Sequence, residues 1–417
     1  MRITLVSTFY PPFGFGGDAV HVHQLANGLV DRGVEVRVVH NSSAFEMLGG
    51  APLTGFAPSP DVEIVDVALG RPAMFGTYIS SRPVGYSARL TAAIADSDIV
   101  HFHNPSLLGG IGASQLPSGL RIYTTHEHWL LCPMHTLFRN EREVCTRRTC
   151  TTCCAVYGRP PQPWRWTGHL DRSVGALDAI MSPSRFTAEL HRQRFPNASI
   201  EVVRPPGPRI RATVLADETV LHSTQHDRPF VLFAGRLQPI KGALWLAEEL
   251  RAQSDLDVVF VGDGPERAAI EQLAQGSSRI TVLGQRSHAE VLQLCSAARA
   301  LIVPSLGYET FGGAGREALS VGTPVVVRAL GPLPELVENG GGVCFENAEE
   351  LRAIIARIAH DSDWYQSLRA SVPNDDGGAD DGEADEARFF RDYFSVIEAA
   401  ANRRGLEALA TWSRSLQ

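Results

Sequence analysis

Residues 304–319 read Pro304-Ser305-Leu306-Gly307-Tyr308-Glu309-Thr310-Phe311-Gly312-Gly313-Ala314-Gly315-Arg316-Glu317-Ala318-Leu319. The apolar residues 300–303 stop at the proline, a polar glycine-bearing loop follows, and a helical pattern starts near Gly313. The order is strand, loop, helix start. Free N–H groups at such a start bind anions, and glycines let a ligand come close to the backbone. Glu309 falls in the loop and Glu317 about one turn into the helix, so two acceptors flank a floor of donors. Carboxylates suit sugar hydroxyls, and backbone donors suit phosphates. The plainer reading makes Glu309 a solvated loop residue and Glu317 an early-helix acid favoured by the dipole.

The same alternation of buried strand, loop and helix recurs along the chain. Residues 2–7 form an apolar β-branched run. The loop Phe9 to Asp18 follows, then a helical pattern through Val22, Leu25, Ala26 and Leu29, and a second strand from Val34 to His40. This β–loop–α–β unit opens a Rossmann-like sheet. Two prolines stand where a dinucleotide fingerprint would place glycines, which disfavours a nicotinamide enzyme. Gly16 and Gly17 can receive a phosphate or sugar at the helix start, or simply make a tight turn. Further strands are expected at 63–67, 98–102, 121–125 and 179–181. A second set begins at 229–234 and continues at 258–261 and 280–283. Active sites of open α/β sheets gather at the carboxyl ends of strands. His126 stands at such an end, where an imidazole donates hydrogen bonds near neutral pH. After strand 229–234 come Arg236 and Lys241, five residues apart across a turn. Both can converge on one anion, although a lone pair of this kind is ordinarily two surface cations beside a helix start.

The pattern P-S-x-x-x-E-x-F-G-x-x-x-x-E-A-L-x-x-G-x-P-V-V, with seven residues between the glutamates, resembles the signature of the family 4 retaining glycosyltransferases. The stretch from Gly235 to Gly242 resembles that family's G-R-L-x-x-x-K-G motif. The resemblance implies the GT-B fold, an α/β architecture of two Rossmann-like domains facing each other across a cleft. It implies an acceptor-side domain over 1–207 with a cysteine-rich insert at 130–160. A nucleotide-sugar domain over 208–386 and a helix crossing back over 387–417 complete the expectation.

By the same resemblance, Arg236 and Lys241 hold the donor diphosphate, and Gly312, Gly313 and Ala314 hold phosphate or sugar. Glu309 binds sugar hydroxyls, Glu317 the ribose, and the backbone at Leu283 meets the base. Gly16 and Gly17 face the donor, and His126 lies by the donor sugar. The reaction implied is sugar transfer from a nucleoside diphosphate to a hydroxyl, with retention and without a catalytic metal or cofactor. The acceptor is a small metabolite or a glycan. A nucleotide-sugar hydrolase or epimerase of the same fold, and a non-catalytic scaffold, are the alternatives. Residues 313–316 depart from the bulky apolar residues usual before the second glutamate, and Arg316 there is available for an extra phosphate or acceptor contact.

Of the 7 cysteines in the chain, Cys132, Cys145, Cys150, Cys153 and Cys154 are crowded together. Cys150 and Cys153 have the spacing of a zinc or a redox pair, and Cys132 and Cys145 would complete four thiolates. A subset of the family resembles this segment in its W-x-L-C-P element followed by cysteines, which implies a structural insert on the acceptor side. Trp164-Arg165-Trp166 opens a helix expected to run to about Leu177. It suits a membrane surface, an acceptor wall or ordinary packing.

A net charge of -8 argues against nucleic acid as partner. No apolar run is long enough to cross a membrane, and the first residues read as a strand rather than a signal peptide, so a cytoplasmic protein is expected. The acidic run 375–386 reads as a solvated loop, with a helix after it from about Ala387. Three Asp-x-Asp triplets, at 96–98, 255–257 and 361–363, are not placed where a strand delivers a metal pair to a ligand, and none is assigned.

Overall fold

The computed structural model describes all residues except 50–51, 54–55, 110, 112–118, 208–227, 252–255 and 374–380, and only the backbone of 381–384. Asp255 of one Asp-x-Asp triplet, residues 375–380 of the acidic run, and residues 208–227 at the start of the expected nucleotide-sugar domain therefore lie outside the described residues.

The described strands are β1 (Arg2–Ser7), β2 (Glu35–His40), β3 (Val62–Asp66), β4 (Ile99–Asn104), β5 (Leu120–Thr124), β6 (Phe138–Arg139), β7 (Glu143–Val144), β8 (Ala179–Ser182), β9 (Ile200–Val202), β10 (Phe230–Ala234), β11 (Asp257–Val261), β12 (Ile280–Gly284), β13 (Ala300–Val303), β14 (Val325–Arg328) and β15 (Gly342–Phe345). The chain divides into two compact units. One comprises Met1–His135, Thr149–Pro205 and Ala387–Gln417; the other comprises Thr136–Arg148 and Pro206–Glu386.

In the first unit a seven-stranded sheet runs β3-β2-β1-β4-β5-β8-β9, every pair parallel. Ile3, Leu5, Val38 and Ile99 on one face, and Val6, Val39, Val100 and Ile180 on the other, are all essentially inaccessible to solvent, as a parallel sheet covered on both faces requires. One face packs on the Gly17–Val30 helix and on Phe389, Phe390, Tyr393, Phe394 and Ile397 of the Asp381–Arg403 helix. That helix starts six residues before Ala387, so the end of the acidic run is helical rather than a loop. Trp164 and Arg165 lie in a short 3-10 turn, Pro163–Trp166, and the helix after it is His169–Gly175. Trp164 is buried and donates from Nε1 to the Tyr78 carbonyl, whereas Trp166 is 64% exposed.

In the second unit a six-stranded sheet runs β12-β11-β10-β13-β14-β15, again all parallel. The short antiparallel pair β6–β7 belongs to this unit, although the sequence placed it in an insert of the first domain. The physical reason is Phe138. It is buried, and it lies so close to the loop after β13 that a Cβ on Gly307 would come within 2.9 Å of its ring.

Both sheets reverse their strand order once, between β1 and β4 and between β10 and β13. In such sheets the connections leaving these two central strands go to opposite faces and open a crevice at the carboxyl ends.

Candidate active site

The crevice of the second unit brings together two loops that the sequence separates by about seventy residues. The loop after β10 carries Arg236 and ends in a 3-10 turn, Pro239–Lys241. The loop after β13 carries Ser305 and Glu309. Leu306 donates its N–H to the Ile240 carbonyl at 2.8 Å, which stitches the loops together. Gly242 makes the approach possible: its φ is +70°, and a Cβ there would lie 2.5 Å from the Pro304 carbonyl oxygen.

This stitching places Lys241 against Glu309. Nζ donates to both carboxylate oxygens, at 2.7 and 2.8 Å. Ser305, 1% exposed, donates from Oγ to Oε1 of the same carboxylate at 2.6 Å. The ion pair is largely shielded, with side-chain exposures of 29% and 16%. Arg236 is exposed on the same β10 loop. Leu283 is half-buried near the end of β12, packed on the sheet.

Beyond Glu309 the chain turns at Gly312, whose φ of +89° precedes the Gly313–Ser320 helix. A Cβ on Gly312 would meet Leu336 and Leu333 at 2.8 and 2.9 Å, so only glycine fits. The first N–H groups of a helix have no intrahelical acceptor, and no acid stands in this first turn. The positive end of the helix is thus left for an anion. Glu317, further along, is 3.3 Å from His288 Nε2. That hydrogen bond raises the protonation range of His288, burial opposes it, and the carboxylate charge adds to it. Arg316 is not presented for a phosphate or acceptor contact as the sequence suggested. Its Nη2 pairs with Asp385 Oδ2 at 2.6 Å, with both side chains largely buried.

The first unit gathers its polar residues at its own reversal point. Gly16 and Gly17 start the Gly17–Val30 helix, and a Cβ on either would meet nothing within 4 Å, so the space beside them is open. Asn104, at the end of β4, donates to Asp18 at 3.1 Å. His103 on β4 and His126 just after β5 are joined Nδ1 to Nε2 at 2.8 Å. His101 is held by Thr124 Oγ1 at 2.8 Å and the Tyr393 hydroxyl at 3.1 Å. His21 lies against His126, with ring centroids 4.8 Å apart.

Burial first, then the charge of neighbouring imidazoles, pushes His126 and His101 down to about 3 and holds His21 and His103 well below the ordinary range. All four are therefore neutral at pH 7. Ring nitrogens of His21, His103 and His126 lie within 4.8 Å of one another. The short His103–His126 separation is that of an N–H shared between two neutral rings, and it satisfies those two nitrogens without an ion.

No cysteine belongs to a group of three potential metal ligands within that distance among the described residues. Cys145 lies just after β7, in the second unit. In the first unit Cys154 is the cysteine in the field of Cys132, Cys150 and Cys153, its thiol pushed up by burial and then by their charges.

Comparison with known proteins places the chain in a family. The family described as Glycosyltransferase Family 4 matches residues 15–206, and Glycosyl transferases group 1 matches residues 228–361. The chain belongs to the family 4 glycosyltransferases. This glycosyltransferase is 26% identical to a D-inositol 3-phosphate glycosyltransferase of Nocardioides, over 86% of this chain and 78% of that protein. It is also 26% identical to the alpha-maltose-1-phosphate synthase of Mycobacterium tuberculosis, over 86% of this chain and 88% of that protein. Among solved structures, sucrose-phosphate synthase from Thermosynechococcus elongatus superposes with a TM-score of 0.67 at 20% identity, covering 98% of this chain and 99% of the other. HepE of Anabaena, in complex with UDP and glucose, does so with a TM-score of 0.63 at 19% identity, covering 99% and 100%. The fold is therefore GT-B, built from two Rossmann-like units. No described helix is long and apolar enough to cross a membrane.

The sequence pointed to Arg236 with Lys241 and to Glu309 with Glu317, and did not show Ser305 on Glu309, His288 on Glu317 or Phe138 under the loop. Ser305 was in plain view, four residues ahead of Glu309. Phe138 and His288 carried no local signal.

Proposed function

We propose that this glycosyltransferase moves a sugar from a nucleoside-diphosphate donor to a hydroxyl acceptor with retention of configuration and without a metal. The observation that carries the reading is the convergence, at one reversal point, of Lys241, Glu309 and an acid-free helix start. The diphosphate occupies the helix start and the cations, and the sugar hydroxyls take the carboxylate. As the sugar–oxygen bond breaks, negative charge grows on the departing phosphate. Lys241 and Arg236 stabilise that charge, each worth about 4 kcal/mol at ~4 Å with an effective dielectric of about 20. Glu317 accepts from the ribose and Leu283 backbone meets the base.

In the first unit, Gly16 and Gly17 leave room for the donor, and His126 meets the reacting sugar as a neutral imidazole. Retention requires the acceptor to arrive on the face from which the phosphate leaves, so the departing phosphate oxygen is the nearest base for the acceptor's proton. HepE, which shares the fold, is solved in complex with UDP and with UDP-glucose, so uridine donors head the panel to be tried. The cysteines take no part in this chemistry. Stoichiometric zinc in protein purified without chelator would give them a structural metal.

The test is turnover of UDP-, GDP- and ADP-sugars with a panel of hydroxyl acceptors, the product anomer being read by NMR. Acceptor-dependent release of nucleoside diphosphate with the donor's anomeric configuration is expected. Equal release without acceptor would assign hydrolysis instead.

A further inference from the structure

The pair His288–Glu317 is outside every role assigned above to a histidine. We infer that His288 is a positioning residue of the donor site, holding the Glu317 carboxylate in the orientation that accepts the ribose hydroxyls. The inference rests on the reading of Glu317 as the ribose acceptor. A glutamate's terminal torsion is broad, so an unheld carboxylate samples many planes. Reading two neighbouring hydroxyls requires one plane.

His288 is built to supply it. It is the first residue of the His288–Ala297 helix, whose start is fixed by a capping box: Ser287 accepts from the Glu290 N–H, and the Glu290 carboxylate accepts from the Ser287 N–H at 2.7 Å. Arg286 lies 3.8 Å from Glu290. That acid is therefore occupied by the cap and the arginine. His288 Nε2 instead reaches Glu317 Oε1 at 3.3 Å. Buried Cys295, two turns along the same helix, also feels the Glu317 charge, which adds to burial in raising its thiol. The carboxylate therefore lies along one face of this helix, with Oε1 against the imidazole and the side chain still 31% exposed. A glutamine has an N–H of comparable reach and retains the contact; an alanine does not.

The experiment is isothermal titration of the full chain with UDP, GDP and ADP and with the 2′,3′-dideoxy form of each, the tightest ribonucleotide and its dideoxy partner serving as the probe. Wild type, His288→Ala, His288→Gln and Glu317→Gln are compared. His288→Ala is expected to weaken the ribonucleotide by about three- to tenfold and leave the dideoxy analogue unchanged, with His288→Gln restoring most of the loss. Equal weakening of both ligands in His288→Ala would show a merely structural role. The inference also falls if His288→Ala binds both normally while Glu317→Gln loses the ribose preference. If no ribonucleotide binds folded wild type, or if Glu317→Gln keeps the full preference, the reading of Glu317 falls first and takes the inference with it.

Discussion

Lys241 Nζ is within hydrogen-bond distance of both carboxylate oxygens of Glu309, at 2.7 and 2.8 Å, although the two stand 68 positions apart in the sequence. Each residue is the other's counter-ion before any donor arrives. An incoming diphosphate therefore competes with Glu309 for Lys241, and the sugar hydroxyls take up the carboxylate it releases.

Replacing Lys241 by alanine removes that charge from both tasks. Turnover is expected to fall about 100- to 1,000-fold, the usual cost of losing one preorganised donor to developing charge. Glu309 loses its largely shielded counter-ion, so thermal unfolding should also reveal a loss of about 1–3 kcal/mol. A Lys241→Ala variant with near-normal turnover would remove the residue from the reaction.

Ser305→Ala deletes a buried hydrogen bond to a charged acceptor. Its stability should drop by about 1–2 kcal/mol, and kcat/KM should fall with it because Glu309 is no longer fixed. In a double-mutant cycle with Glu309→Gln the two losses should fail to add. Additive losses would mean that Ser305 acts apart from Glu309.

At Gly242 a methyl group would meet the Pro304 carbonyl, in a backbone conformation that side chains resist. Gly242→Ala is expected to push the β10 and β13 loops apart and cost about 1–3 kcal/mol. Because Lys241 is the adjacent residue, activity should fall further than stability alone explains, as read from turnover well below the melting transition.

The histidines of the first unit set an acid limit. His126 and His101 are held down to about 3 by burial, whereas in the unfolded chain they protonate near ~6.5. Between those values the unfolded state binds more protons, so stability falls as pH drops below about 6.5 and is flat above it. The slope approaches ~1.4 kcal/mol per pH unit for each histidine. Calorimetry from pH 7.5 to 4.5 should show a shallower acid slope in His126→Asn than in wild type. Parallel curves would mean that His126 is not held neutral.

The sheets were legible because parallel strands buried on both faces spell themselves as short runs of Val, Ile and Leu, such as Phe230–Ala234 and Ala300–Val303. The loops after them were legible through glycine and charge. Pairing was not: Lys241 and Glu309 meet only because the strand order reverses between β10 and β13, and no local pattern encodes that adjacency. The β6–β7 hairpin escaped notice because two-residue strands of Phe, Arg, Glu and Val have no period to detect. The early start of the Asp381–Arg403 helix was hidden by glycine and aspartate, both poor helix formers whose cost is overridden by the packing of Phe389 to Ile397 farther along. Arg316 was misjudged because its partner, Asp385, lies 69 residues away.

The packing of Phe389, Phe390, Tyr393 and Phe394 against β1, β4 and β5 also sets an order of assembly during synthesis. The ribosome delivers the seven strands of the first sheet by Val202, yet the helix that seals one of its faces comes only after Glu386. Throughout translation of the second unit, the first has that face covered by the Gly17–Val30 helix alone, with the part that Phe389 to Ile397 will seal still open. The second unit has all its strands by Phe345 and can close first, so the later-made half of this enzyme is the earlier to finish.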